Sequence, residues 1–329
     1  MNATPSSPSD ARPTTAGSRP VSDEARQQID ATGRIPGGER ALVLGGGGSA
    51  GNAWLVGVLA GLFDAGLDVT QADVIIGTSA GATAAAQVTA ATPAQLLAHI
   101  LDAPPPPPRT RPAGAAGVPQ PMADHMERTN RIIAAAEDAA AMRRGMGAAA
   151  LELESDGTEG ARWRATVATR LTGGQQWPDR LILITAIDAR TGEPVVFDRA
   201  SGVDLVDAVA ASTSNGFGVP PYPIGMERYL DGGYRRNENA DLAAGYRRVL
   251  VLSPLGGRTR HPLEWGMQLS AQVDELRAAG STVETIGPDG PSLEAFGGNL
   301  MDPSTRVPAA RAGYDQGRAL APEIRDFWR

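Results

Sequence analysis

Between Val74 and Gly81 the chain reads Val-Ile-Ile-Gly-Thr-Ser-Ala-Gly, a β-branched apolar run that stops in a Gly-x-Ser-x-Gly. A short buried strand turning sharply into a helix fits this description. Such a turn holds its central serine in a strained backbone position, with the hydroxyl above the sheet edge. That serine is Ser79. Gly77 and Gly81 stand where strand and helix approach so closely that a Cβ would collide. The alanine-rich stretch from Ala80 to Ala91 follows as helix and aims its positive end at the Ser79 oxygen. Plain strand-to-helix turns use the same five residues. In a chain with 40 glycines the motif alone does not separate a nucleophile from a connector.

A second glycine stretch lies upstream. Ala41 to Leu44 reads as a short buried strand, Gly45 to Gly48 as a four-glycine turn, and Gly51 to Ala65 as a helix with Trp54, Leu55, Val58, Leu59, Leu62 and Phe63 on its core face. Successive glycines leave backbone N–H groups open at a helix N-terminus, which suits an anion. Gly46, Gly48 and Gly51 also satisfy the Gly-x-Gly-x-x-Gly of a dinucleotide-binding turn. That motif needs an acid at the tip of the next strand, and here the next strand runs into Gly77-Thr78-Ser79 instead. A phosphate-binding loop lacks its Gly-Lys-Ser/Thr. What survives is an oxyanion formed when Ser79 attacks a carbonyl, since both glycine stretches end neighbouring parallel strands.

Composition narrows the rest. The 329 residues, 42% of them hydrophobic, suffice for one large α/β core. No cysteine is present, which removes disulfides, thiolate chemistry and sulfur-based zinc sites, and His99, His125 and His261 are too few and scattered for a metal cluster. A formal charge of −7 offers no basic surplus for a nucleic acid. No run of 18 apolar residues could span a bilayer. Residues 1 to 38, rich in Ser, Pro, Thr, Asp and Arg, read as a disordered arm without the apolar centre of a secretory signal, so the expected location is cytoplasmic.

The remaining chain, 39 to 329, reads as one domain with an excursion at about 103 to 155. Its five prolines, Pro104 to Pro108, keep the excursion on the surface, and helix-forming residues from Met122 to Leu153 make either a covering helix or a methionine-bearing lid. Leu181 to Ile187 and Val195 to Phe197 read as a hairpin or two successive sheet strands, Val203 to Ser212 as a helix, and Arg247 to Leu252 as a buried strand. Leu263 to Ala279 reads as one amphipathic helix, Thr282 to Ile286 as a strand, and Pro308 to Trp328 as a last helix, with turns at Gly287-Pro288 and Gly290-Pro291.

A third glycine-bearing turn, Tyr229-Leu230-Asp231-Gly232-Gly233, leaves a carboxylate at a tight bend after a short apolar strand. A serine nucleophile needs a base within hydrogen-bond reach. None of the three histidines sits at a strand-end motif, so Asp231 is the better candidate. A carboxylate serves only if desolvation raises its basicity.

Gly46-Gly47-Gly48-Ser49-Ala50-Gly51, Gly77-Thr78-Ser79-Ala80-Gly81, and Asp231-Gly232-Gly233 with Asn239 together resemble the three motifs of patatin-like phospholipases, in order, across about Arg40 to Ser253. The resemblance implies a three-layer α/β/α fold with a mainly parallel central sheet. It further implies a Ser79 nucleophile, an Asp231 base, an oxyanion hole from the N–H groups of Gly46, Gly47 and Gly48, and support from Gly77, Gly81, Gly232, Gly233 and Asn239. The implied reaction is hydrolysis of lipid acyl esters through an acyl-serine without metal or cofactor, with a lipid substrate and peripheral membrane contact as partners. Two departures stand out. Ala50 takes the place of the family's usual basic residue. Ala211 to Gly216, Ala-Ser-Thr-Ser-Asn-Gly, replaces an Ala-Ser-x-Ala-x-Pro stretch. An acyltransferase or thioesterase using the same acyl-serine, a non-catalytic acyl-binding protein, and a nucleotide-binding protein are the alternatives; chain length, headgroup and oligomeric state are not encoded in any motif.

Overall fold

The computed structural model describes residues 29–104, 120–153, 158–171, 173–216 and 218–329. In chain order they form β1 (Gly38–Leu44), α1 (Gly48–Asp64), β2 (Val74–Gly77), α2 (Ala80–Ala90), α3 (Pro93–Leu101), α4 (Gln120–Ala135), α5 (Ala139–Leu151), α6 (Thr158–Arg170), β3 (Leu181–Asp188), β4 (Pro194–Phe197) and α7 (Leu205–Ser212). Then follow β5 (Tyr222–Ile224), β6 (Glu227–Asp231), β7 (Tyr246–Leu252), α8 (Leu269–Ala278), β8 (Thr282–Ile286), α9 (Gly290–Phe296) and α10 (Arg306–Trp328).

The strands are apolar at successive positions because both faces of the sheet are covered. Leu42, Leu44, Ile75, Ile182, Ile184, Leu250 and Leu252 face a layer built from α1, α2, α3, α6, α7, α9 and α10. Their alternates Ala41, Val43, Val74, Ile76, Leu183, Val249 and Val251 face α8, the turn at Ala240–Ala243, and Ala31. The result is three layers, α/β/α, in which each fully buried Leu or Ile contributes on the order of 1.5–3 kcal/mol. The sheet runs β5-β6-β3-β2-β1-β7-β8, with β4 also paired to β3. From β3 through β2, β1 and β7 to β8 all pairings are parallel. At the other end β3 pairs antiparallel with β4 and β6, and β6 antiparallel with β5. The sheet is therefore mixed, and the Asp231 turn ends an antiparallel strand rather than lying beside a parallel one as the sequence suggested.

α10 lies against α1 at backbone contact distance. A Cβ on Gly57 or Gly61 would stand 2.2 Å from the carbonyl oxygen of Ala310 or Tyr314, and one on Gly313 or Gly317 would meet the carbonyls of Trp54 (2.5 Å) and Val58 (2.3 Å). Two glycines one turn apart on each helix create this seam.

Several boundaries differ from the sequence reading. The first 28 residues of the expected arm lie outside the described residues, but the chain is packed from Ile29, nine residues before the expected limit at 38. Asp30 Oδ1 accepts from the Val196 N–H (3.0 Å) and the Ala31 N–H donates to Val196 O (2.8 Å), so this segment satisfies an edge of β4. Of the proline-rich excursion, residues 105–119 lie outside the description. The helical stretch after it is two helices, α4 and α5, separated where Asp138 caps Ala141 N–H (2.6 Å). α6 was not foreseen. The expected helix Leu263–Ala279 is a single 3-10 turn, Leu263–Trp265, then α8, because Gly266 adopts a left-handed conformation (φ 63°) between them. Gly290-Pro291 starts α9 instead of a turn: Asp289 accepts the Ser292 N–H (2.9 Å) and Pro291 sits in the first helical turn.

Candidate active site

Register brings the three glycine-bearing turns together. Leu44 at the end of β1 pairs with Gly77 at the end of β2, and Gly77 in turn with Ile184 of β3. Asp231 at the end of β6 pairs with Ala186, so Thr78-Ser79 and Asp231-Gly232 flank Thr185 from opposite directions. Gly232 is pressed onto that residue; a Cβ there would lie 2.2 Å from Thr185 Oγ1.

Ser79 occupies φ 54°, ψ −113°, a strained conformation for a residue with a side chain. The elbow holds because its neighbours are glycines: a Cβ on Gly81 would sit 1.8 Å from Leu44 O, and one on Gly77 2.7 Å from Ala82 Cα. Thr78 N–H donates to Leu44 O (3.0 Å), and Ser79 N–H to the buried Ser212 Oγ (2.9 Å), which holds the strained peptide in place.

Asp231 lines the pocket above the turns and has the Ser79 side chain as a hydrogen-bonding neighbour. Burial pushes its pKa up to about 6, against the opposing hydrogen bonds from Ser79 and from the Gly233 N–H, the latter at 2.8 Å to Oδ1. Asp231 N–H donates to Ser214 O (2.8 Å).

Asn239 joins the two turns from below. Fully buried and left-handed (φ 54°), it donates Nδ2–H toward Thr78 Oγ1 (3.0 Å), Thr185 Oγ1 (3.2 Å), Gly232 O (3.2 Å) and Arg236 O (2.7 Å), and accepts from Arg235 at Oδ1 (2.7 Å). The residue before Ser79 and the residue after Asp231 thus share one amide.

The glycine turn after β1 needs a correction. Gly46 N–H donates to the carbonyl of Asn237 (3.0 Å) and is not free for an oxyanion, although Gly46 is the glycine nearest the serine, its would-be Cβ 3.5 Å from Ser79 Cβ. Asn237 grips Gly46 from both sides, since its side-chain amide donates to Gly46 O (3.3 Å). Among the described residues nothing accepts from the N–H groups of Gly47, Gly48 or Ser49 at the start of α1. Gly48 must be glycine: its φ is +64°, and a Cβ would meet Met301 Sδ at 2.8 Å and Leu300 O at 2.9 Å.

Above these groups opens a pocket of about 520 Å3, with Met126, Leu255, Met267, Leu269 and Leu300 as apolar wall and Gly46, Gly47, Ser79, Asp231 and Gly233 at its floor. Of the methionines expected in a lid, Met126 reaches the pocket while Met142 and Met146 are buried with Ile133 and Met267 in a core beneath α4 and α5. Arg260 ties α4 to the pocket rim through Thr129 Oγ1 (3.1 Å) and Asn130 Oδ1 (2.8 Å). His261 lines the same rim, where the sequence placed no site residue. Burial, and next Arg260, lower its pKa to about 4; its Nδ1 faces Thr259 Oγ1 at 3.0 Å. Tyr234 donates to Asn215 O (2.7 Å), its phenol raised by burial and by Asp231. Among the described residues no group of three or more His, Cys, Asp or Glu is placed to hold a metal ion. No described helix is long and apolar enough to cross a membrane. Thr185 and Asn237, which hold the site together, belong to no motif and escaped the sequence reading, and Ser212 was noted only within the Ala211–Gly216 stretch, without a role.

A family model described as patatin-like phospholipase matches residues 42–244, more than half of the chain. The chain belongs to the patatin-like phospholipase family. The resemblance drawn from the three motifs is confirmed over nearly the span that they suggested. Patatin-like phospholipases act on lipid substrates, and lipid acyl hydrolysis is what membership implies. Similar solved structures include VipD from Legionella pneumophila, 14% identical over 87% of this chain and 67% of that one with a TM-score of 0.40. Another is the type III effector protein ExoU, 16% identical over 88% of this chain with a TM-score of 0.35; this chain spans 53% of its length. No curated protein matches.

Proposed function

We propose that this patatin-like protein is a serine hydrolase cleaving acyl esters of lipids with a Ser79–Asp231 dyad. The observation that carries this reading is the pairing of a strained serine at the sheet edge with a carboxylate whose basicity burial has raised. Asp231 takes the Ser79 proton as Oγ attacks the ester carbonyl. The carbonyl oxygen gains negative charge and is held by the N–H groups of Gly47 and Gly48 at the positive end of α1. Collapse breaks the ester C–O bond, and the Asp231 proton goes to the departing alkoxide. Water, deprotonated by Asp231, then attacks the acyl-serine carbon, and the proton returns to Ser79 as the fatty acid leaves. Met126, Leu255, Met267 and Leu300 offer the acyl chain an apolar wall. Exposed Met126 on the pocket wall suits a mouth that meets a lipid aggregate.

A fluorophosphonate probe tests the nucleophile. Wild type is expected to label covalently and Ser79→Ala not; a wild-type chain that never labels, and hydrolyses neither p-nitrophenyl esters of graded length nor a phospholipid, sinks the proposal. Asp231→Asn should lower turnover about 10²–10⁴-fold with the fold retained, as expected for loss of a general base.

A further inference from the structure

The start of α1 is held by residues far beyond the matched family span. Ala50 N–H donates to Leu300 O (2.9 Å), and Arg306, the first residue of α10, donates from Nη1 to Ser49 O (3.0 Å) and from Nη2 to Asn52 Oδ1 (3.1 Å). Asn52, itself buried, donates from Nδ2 to Ala80 O (3.3 Å) and to Gln87 Oε1 (3.1 Å). One guanidinium therefore bridges the first turn of α1, which carries Gly48, to the first turn of α2, which begins directly after Ser79.

The charge there is costly. A cation beside the positive end of a helix opposes the helix dipole, and Arg306 has no carboxylate partner among the described residues. Burial, with Arg170 nearby, lowers its pKa, yet a guanidinium remains ionised at neutral pH. That cost is offset when a negative charge develops at Gly47 and Gly48. Ala50, neutral and buried, leaves this end of the glycine turn without a cation of its own.

We propose that Arg306 is a positioning residue for the acyl-transfer step, clamping the starts of α1 and α2 so that the Gly47 and Gly48 donors and the Ser79 hydroxyl keep one geometry, and placing positive charge behind the oxyanion. The inference rests on Ser79 as nucleophile and adds a residue contributed by the last helix. It acts through Ser49 and Asn52 and does not touch the reacting atoms.

The test compares wild type, Arg306→Gln and Arg306→Lys in the full chain, by amide hydrogen exchange of peptides covering residues 45–53 and 78–84 and by kcat and KM on a p-nitrophenyl ester. Arg306→Gln is expected to speed exchange at both helix starts and to lower kcat about 10- to 100-fold, the scale of a misplaced catalytic geometry, with KM changed less than about threefold. Arg306→Lys, which keeps the charge but reaches only one acceptor, should recover part of the lost kcat. Unchanged exchange at either helix start, an unchanged kcat, or a loss confined to KM overturns the proposal. If Arg306→Gln fails to fold, Asn52→Ala breaks the same bridge and must speed exchange across 78–84, or the clamp is refuted. A wild-type chain inert toward every ester would refute the hydrolase reading alone, because the exchange measurements still decide the clamp.

Discussion

Among the described residues, Ser79 and Asn239 are the non-glycine positions with φ in the left-handed range, and both sit at the junction of the Ser79 and Asp231 turns. Strain at such positions persists only where the surroundings over-determine it, and the hydrogen bonds converging on Asn239 do so. Asn239→Ala leaves Gly232 O, Arg236 O and Arg235 without that partner. A loss of about 3 kcal/mol is expected, measurable by urea unfolding. Asp231 links chemistry to stability. Its pKa in the fold, about 6, exceeds the unfolded value near 4, so the fold favours its protonated form; this contribution is complete below about pH 4 and is lost as pH rises through 6. Two consequences follow for measurement. kcat/KM should climb as pH passes about 6 and then level, reporting ionisation of the base. Asp231→Asn should be more stable than wild type at pH 8, by at most ~3 kcal/mol, with the difference shrinking toward pH 4 in denaturant titrations. The turns that carry Ser79 and Asp231 were legible because Ser79 lies between Gly77 and Gly81 and Asp231 is followed by Gly232 and Gly233, glycines that a close backbone approach demands. Loss of the Gly46 donor was not, since the carbonyl that takes it belongs to Asn237, which only the fold brings alongside.

At the scale of elements, helices and strands with one strong period were legible, and α2, β2 and β8 lie within a residue of expectation. Sequence failed where one residue's backbone decides. Gly266 in the left-handed region splits an otherwise continuous apolar period, and Asp289 turns a Gly-Pro pair from a bend into a helix start. The seam between α1 and α10 was equally hidden, because Gly57-x-x-x-Gly61 and Gly313-x-x-x-Gly317 signal contact only once the two helices are known to meet. Gly57→Ala drives a methyl into the Ala310 carbonyl and should cost at least about 2 kcal/mol, read from the thermal or urea midpoint. Gly33→Ala, with nothing within 4 Å of the new Cβ, should leave the midpoint unchanged and serves as the control.

For the molecule as a whole, composition already set the class: both-face burial of β-branched strands requires helices on each side of the sheet, and the three layers follow. The antiparallel β3–β4 pair fits the hairpin reading, but the antiparallel β5 and β6 were not foreseen, because strand direction depends on connections that a short apolar run does not reveal. A chain ended at Asn299 would lose α10 and uncover the outer face of α1. It should bind an apolar dye such as ANS and melt without a sharp transition, whereas retained cooperativity would show that α10 is an accessory.

The partnership of α1 with α10 also fixes the order in which the molecule can be finished. β1, β2 and β6 are all synthesised before residue 306, so the serine, the carboxylate and the glycine turn exist on the nascent polypeptide while their supporting helix is still bare. Until α10 emerges and docks, that helix offers a glycine-lined apolar groove to any other chain or chaperone within reach, and folding waits on its most distant contact in sequence. On the proposed reading of the site, the glycine turn gains its last support only when α10 docks, and the nascent chain stays inactive while it is being made.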